Sequence, residues 1–180
     1  MTTASTWTID PTHSSVGLAV KHMMFTTVRG RFKDVKGTIA VDPKNPGGAF
    51  VDVEIPAASI DTGVADRDAH LRSADFLDAE KHPFLAFRSK RVEGSFEREG
   101  DTFTIVGDLT IKGTTKEVSL DAVYEGGGKD PWGGIRAGAR AATKIDRRDW
   151  GLTWNQALEA GGLLVANDVR IEIELQAARA

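Results

Sequence analysis

Val169-Arg170-Ile171-Glu172-Ile173-Glu174-Leu175-Gln176 alternates apolar and polar side chains without a slip. Successive side chains on a strand point to opposite faces, so this stretch reads as a ribbon with one dry face and one wet face. The same period of two recurs up the chain. Val16, Leu18 and Val20 share a phase against Gly17, Ala19 and Lys21, and Val51, Val53 and Ile55 alternate with Asp52 and Glu54. Phe103, Ile105, Leu109 and Ile111 alternate with Thr102, Thr104, Asp108 and Thr110, and Val118, Leu120, Ala122 and Tyr124 with Glu117, Ser119 and Asp121. Strands wet on one side belong to antiparallel sheets, because buried parallel strands read as unbroken apolar runs.

Turn signals separate these runs: 42–48 with its two prolines and two glycines, Gly100-Asp101, Gly113, and 126–131 with three consecutive glycines. They space the strands as a chain of hairpins rather than βαβ units. In 30–42 the apolar parity changes, with Phe32 on one phase and Ile39 and Val41 on the other, so a bulge or bend is expected near 34–37. The runs amount to about eight strands, which must stack as two sheets or close into a barrel to remove their edges. Two interruptions remain. In 60–83, Asp66 is the expected N-cap of a two-turn helix over 67–73 with Leu71 inward, and 150–162 reads as a short helix or loop carrying Trp154.

At 180 residues, 41% of them apolar, the chain suits a single all-β domain over 1–180 with a core of its own. A net charge of −3 provides no basic field for nucleic acid, and no apolar run approaches the ~18 residues of a membrane-spanning helix. Cysteine is absent, which removes disulfides, thiol nucleophiles and thiolate metal sites and fits a reducing compartment. Residues 1–10 have neither a basic start nor an apolar run, so a cytoplasmic location is expected.

The reactive side chains form no strong constellation. His13, His22, His70 and His82 include no pair at helical ligand spacing, leaving hydrogen-bonding or core roles against a metal site assembled from distant strands. His70, flanked by Arg67 and Asp68, is the candidate acid/base; an ion-pair network around a short helix is the competing reading. Asp66, Asp68, Asp75 and Asp78 alternate with Arg67, Arg72 and Lys81, as a solvated surface does. There is no G-x-S-x-G elbow, and Gly126-Gly127-Gly128-Lys129 lacks the ending of a phosphate loop and reads as a hairpin loop. What remains is shape. The strand over 135–145 puts Ala137, Ala139 and Ala141 on one phase, leaving volume that a ligand or bulky neighbours such as Phe32, Phe87 and Phe103 would fill. On these residues alone the two outcomes are equally consistent.

Asp10-x-x-His13-Ser14, His22 and Gly30-x-Phe32 resemble the opening of the YceI-like, polyisoprenoid-binding proteins. The likeness continues through Ser59-Ile60-x-Thr62, Arg67-Asp68-x-His70-Leu71, Asp75-Phe76, Pro83 and Phe87. It extends through Gly107-x-Leu109-Thr110, Gly113-x-Thr115, 129–133 and Arg148-Asp149-Trp150-Gly151-Leu152, nearly the whole chain in order. Many members carry phenylalanine or tyrosine where Trp150 stands. The resemblance implies an extended, eight-stranded, lipocalin-like antiparallel barrel with one or two short helices, whose tunnel holds a long isoprenoid chain. It also implies a homodimer without catalytic residues, cofactor or metal, and makes 67–76 a structural corner. The expected lining follows the apolar phase of each strand. Val16, Leu18, Val20, Ile39 and Val41 come from the first half, with Phe87, Ile105, Leu109, Ile111 and Leu120 next. Ala137, Ala139, Ala141, Ile171 and Ile173 complete it, and Phe76, Trp150 and Trp154 lie near the ends. The expected function is non-enzymatic storage or transport of a polyprenol, polyprenyl phosphate or isoprenoid quinone, with room for transient membrane contact. The rival is an enzyme on a prenylated or quinone-like substrate using His70 with Asp68 or Asp75.

Overall fold

A computed structural model describes residues 4–180. Its strands are β1 (Ser5–Ile9), β2 (Ser15–His22), β3 (Thr26–Phe32), β4 (Lys36–Val41), β5 (Phe50–Pro56), β6 (Ile60–Asp61), β7 (Phe84–Gly94), β8 (Thr102–Ile111), β9 (Thr114–Lys129), β10 (Ile135–Asp146) and β11 (Val165–Arg179), with helix α1 (Ala65–Arg72) between β6 and β7.

Eleven hydrogen-bonded segments make eight strand positions, all antiparallel. One edge of β11 carries β2 along Val165–Glu174 and β1 along Ala177–Arg179, so β1 and β2 are two pieces of one interrupted strand. β1 pairs onward with β4 and β2 with β3; β4 then pairs with β5 and β3 with β6. Thereafter β5, β7, β8, β9, β10 and β11 follow as consecutive neighbours, and the β1–β11 pairing closes the ring. Closure removes most of the exposed edges that an open sheet of such strands would present, leaving Thr26–Gly30 of β3 paired on one side alone.

The interruptions have local causes. Between β1 and β2, Pro11 has no N–H to offer, and Asp10 turns its carboxylate onto the Thr12 amide at 3.0 Å. The expected bend near 34–37 is the break between β3 and β4, where Val35 drops into the core and the Lys33 amide donates to the Ser59 carbonyl. Arg136 spans the first gap from outside, its guanidinium reaching Asp10 at 2.6 Å and Asp130 at 2.9 Å. Hydrogen bonds from Thr12, His13 and Arg136 hold the Asp10 carboxyl well below the ordinary carboxylate range. The Asp10-x-x-His13 motif thus acts as a clamp tying an interrupted strand to β10 and to the turn at Asp130.

Two expectations need correction. The triple glycine is no turn. It is the end of β9, with Gly126, Gly127 and Gly128 paired to Gly138, Ala137 and Arg136, and the chain reverses only at 130–134. A Cβ on Gly127 would meet the Arg136 carbonyl and the Tyr124 hydroxyl at 2.7 and 2.9 Å, so close approach, not turning, requires glycine there. Asp66 does not cap the helix either. Val64 occupies the N-cap with no side-chain bond, while Asp68 reaches upstream to the Thr62 amide at 2.8 Å and hydroxyl at 2.5 Å. The 150–162 segment takes the loop form of its two expected alternatives, irregular chain that follows a 3-10 turn at Arg147–Trp150.

Candidate functional site: an apolar tunnel

The inward phases of the strands do not meet. They surround a cavity of about 700 Å³ that runs between the barrel ends, from Val41 and Phe103 to Val20 and Trp154. Small-molecule sites occupy about 300–1,000 Å³. The small residues on β9, β10 and β11 explain the hollow. Across the three strands, Ala141 sits between Ala122 and Ile173, and Ala137 between Gly127 and Ala177. The Gly127–Ala137–Ala177 row and the Ala122–Ala141 pair therefore lack bulk, and Phe32, Phe87 and Phe103 opposite do not reach across to fill the gap. β10 has 12 residues. At ~3.3 Å rise and a tilt near 40°, such a strand covers about 30 Å of barrel axis, so the hollow is long and narrow.

The structure places every expected lining residue on the wall of this cavity: Val16, Leu18 and Val20 from β2, Ile39 and Val41 from β4, Phe87 from β7, Ile105, Leu109 and Ile111 from β8, Leu120 from β9, the three alanines from β10, and Ile171 and Ile173 from β11. Phe76, Trp150 and Trp154 stand at the α1 end. Sequence reading missed Trp7, Leu85, Leu152 and Leu164, which also line the wall. Five-residue β1 is too short for periodicity to be visible, and the β7 alternation is broken by a register shift between Ser89 and Arg91.

An aromatic group stands at the α1 end. The His70 ring meets Trp154 and Phe76 edge-on at 4.6 and 5.0 Å, and Phe76 lies 5.4 Å from Trp154. Trp150 is buried, and its indole N–H donates to the Leu109 carbonyl at 2.9 Å. Arg147, also buried, donates to the carbonyls of Leu152, Trp154, Val165 and Ala166 at 2.6–3.4 Å. That cage ties the 150–165 segment to the barrel, and desolvation lowers the guanidinium pKa. Beside it, the Arg148 guanidinium on Asp146 holds that carboxyl down at about 2.

Of the two carboxylates in the rival catalytic reading, the structure brings Asp75 to His70 and leaves Asp68 elsewhere. His70 Nε2 meets Asp75 at 2.8 Å, whereas the Asp68 carboxylate is taken by Thr62. Arg67 is also engaged by Thr62, through its hydroxyl at 2.7 Å and carbonyl at 2.9 Å. The 62–76 stretch is in this respect a hydrogen-bonded corner. Among the described residues no group of three or more His, Asp or Glu side chains converges, and no helix is long and apolar enough to cross a membrane.

A family model for the YceI-like domain matches residues 7–177. The chain belongs to the YceI-like family. It is 44% identical over 140 residues to Protein YceI of Escherichia coli O157:H7, a match covering 78% of this chain and 71% of the relative. The crystal structure of the Campylobacter jejuni YceI protein superposes with a TM-score of 0.72 at 32% identity over 88% of each chain. A polyisoprenoid-binding domain from Saccharophagus degradans shares the fold, with a TM-score of 0.67 at 12% identity, covering 95% of this chain and 97% of that one. In this YceI-like barrel Asp10, His13 and Asp68 serve as clamps, while the motif residues Phe32, Phe87, Leu109 and Trp150 line the tunnel.

Proposed function

We propose that this YceI-like barrel is a binding protein for a long isoprenoid lipid, a polyprenol, polyprenyl phosphate or isoprenoid quinone, which it stores or carries without chemical change. The continuous apolar tunnel is the observation that carries this reading. The family, and the polyisoprenoid-binding activity of a neighbour of the same fold, support it. A long hollow lined by aliphatic and aromatic side chains suits a flexible hydrocarbon and offers little to a polar metabolite.

Energetics favour handover over trapping. Each CH₂ taken from water into the tunnel gains about 0.8 kcal/mol. Taken from a bilayer it gains almost nothing, because lipid tails are as apolar as leucine. The protein therefore shields its cargo in water and releases it readily to a membrane or a partner. The same reading makes the protein a cytoplasmic homodimer with no cofactor or metal of its own. Native mass spectrometry on protein purified from its source, with mass analysis of an organic extract, tests it. Co-purifying isoprenoid on a dimeric mass is the expected result; protein free of lipid that also takes up no added polyprenol would reject the proposal.

A further inference from the structure

Three large apolar side chains stand in water at the turn between β2 and β3: Met23 is 38% exposed, Met24 64% and Phe25 80%. Solvent normally selects polar residues at a hairpin tip, and the backbone here makes the choice stranger still. The Phe25 amide closes the turn on the His22 carbonyl at 3.1 Å, and Met23 and Met24 between them have φ of 50° and 64°. Two positive φ values in succession are what a type I′ turn demands, and asparagine or glycine supplies them with least strain. Two methionines keep a strained turn apolar.

The surroundings are equally specific. The Met23 amide donates to the Leu164 carbonyl at 2.8 Å, and exposed Leu163 extends the apolar surface of the tip. His22, Val28 and Leu164, at the base of the turn, line the tunnel. There β3 pairs with β6 only at Arg31 and Phe32, so Thr26–Gly30 has no second strand beside it. Although the whole chain is acidic, no Asp or Glu occurs between Asp10 and Asp34, whereas Lys21, Arg29, Arg31 and Lys33 do. Across the sheet Ala19 is flanked by Arg29 on β3 and Arg170 on β11. Lys33 is engaged by Asp61 at 3.1 Å, and Glu172 stands beyond Gly17 from Arg31; Lys21, Arg29 and Arg170 form no ion pair among the described residues.

We propose that Met23, Met24 and Phe25, with Leu163, are a wedge that docks this end of the barrel into a bilayer bearing anionic headgroups, which Lys21, Arg29, Arg31 and Arg170 engage. A convex tip of this size falls short of the ~800 Å² per partner that a stable protein interface needs. It suits an interfacial layer, where apolar side chains enter shallowly and basic residues meet the negative surface potential. Docking stands without the isoprenoid reading. That it places the tunnel end against the source of cargo rests on that reading.

Co-flotation with vesicles of phosphatidylcholine, alone or with phosphatidylglycerol added, tests the wedge. The full chain is expected to float with the anionic vesicles and to be released by salt. The double variant Met24→Ser/Phe25→Ser, and separately Arg29→Glu, should lose more than about tenfold in vesicle affinity with unchanged thermal stability. A Phe25→Trp variant should shift its emission to the blue on anionic vesicles. Ala139→Trp should float like the wild type whether or not it holds isoprenoid, which separates failure of docking from failure of the cargo reading. Absent flotation of the wild type, undiminished flotation of the double variant, an unshifted Phe25→Trp emission, or dissociation of a dimer by the double variant would overturn the proposal.

Discussion

Ala139→Trp interrogates the tunnel at mid-length. Ala139 lies on β10 opposite Leu175 of β11 and Tyr124 of β9, facing the cavity. An indole there buries about 150–250 Å². If it displaces an equal apolar area of ligand, at ~25 cal/mol per Å² the loss is about 4–6 kcal/mol relative to water. That corresponds to roughly a thousand-fold to ten-thousand-fold weaker binding, readable by displacement of a fluorescent prenyl probe in detergent-free buffer. The fold should survive, because the ring enters free space; overpacking a filled core would instead cost about 1–3 kcal/mol. Ala142→Trp, one turn of the pleat away on the exposed face, is the control and should leave binding intact. An Ala139→Trp protein that binds as tightly as wild type, or that melts many degrees lower, would refute the reasoning, the first by moving the ligand path and the second by showing that the space was occupied by protein.

The clamps and closures make further predictions. Arg147→Met should take its donor from the Leu152, Trp154 and Ala166 carbonyls, while Val165 keeps Asn155, and cost about 3 kcal/mol, seen in urea denaturation. Trp150→Phe deprives the Leu109 carbonyl of its partner and should cost about 1–3 kcal/mol, a fall of several degrees in melting temperature. Asp10, Asp130 and Asp146 have folded pKa values below the unfolded value of about 3.9. Their contribution to stability is therefore complete above that value and lost as pH falls through the folded ones. The melting temperature should hold from pH 7 to about 5 and fall mainly between about 4 and 2, less steeply in Asp10→Asn. If the rival enzymatic reading were right, a turnover with pH dependence would vanish in His70→Ala and persist in Ala139→Trp; the binding reading expects no turnover to lose.

The parts of this molecule visible in its sequence were those where one residue's environment depends on its neighbours two places away. Long strands such as β9 and β11 announce their inward face, and with it most of the wall. The β3–β4 break was visible as a change of parity. Where pairing partners decide, local pattern misleads. Gly126-Gly127-Gly128 looks like a turn because nothing nearby reveals that β10 comes within reach of a Cβ there. Asp66 looks like a cap because it precedes helix formers, while the carboxylate that orders the corner is Asp68, bonded backward to Thr62. Whether the centre is filled lay beyond pattern altogether. It depends on Ala122 facing Ala141, and on Gly127 and Ala177 flanking Ala137, which is a matter of register between strands.

A crystal structure of protein isolated from its own cell, without added lipid or detergent, tests the central claim most directly. Elongated, regularly methyl-branched hydrocarbon density lying along Ala137, Ala139 and Ala141 is the predicted result. An interior collapsed onto itself, or one filled by ordered water, would contradict it.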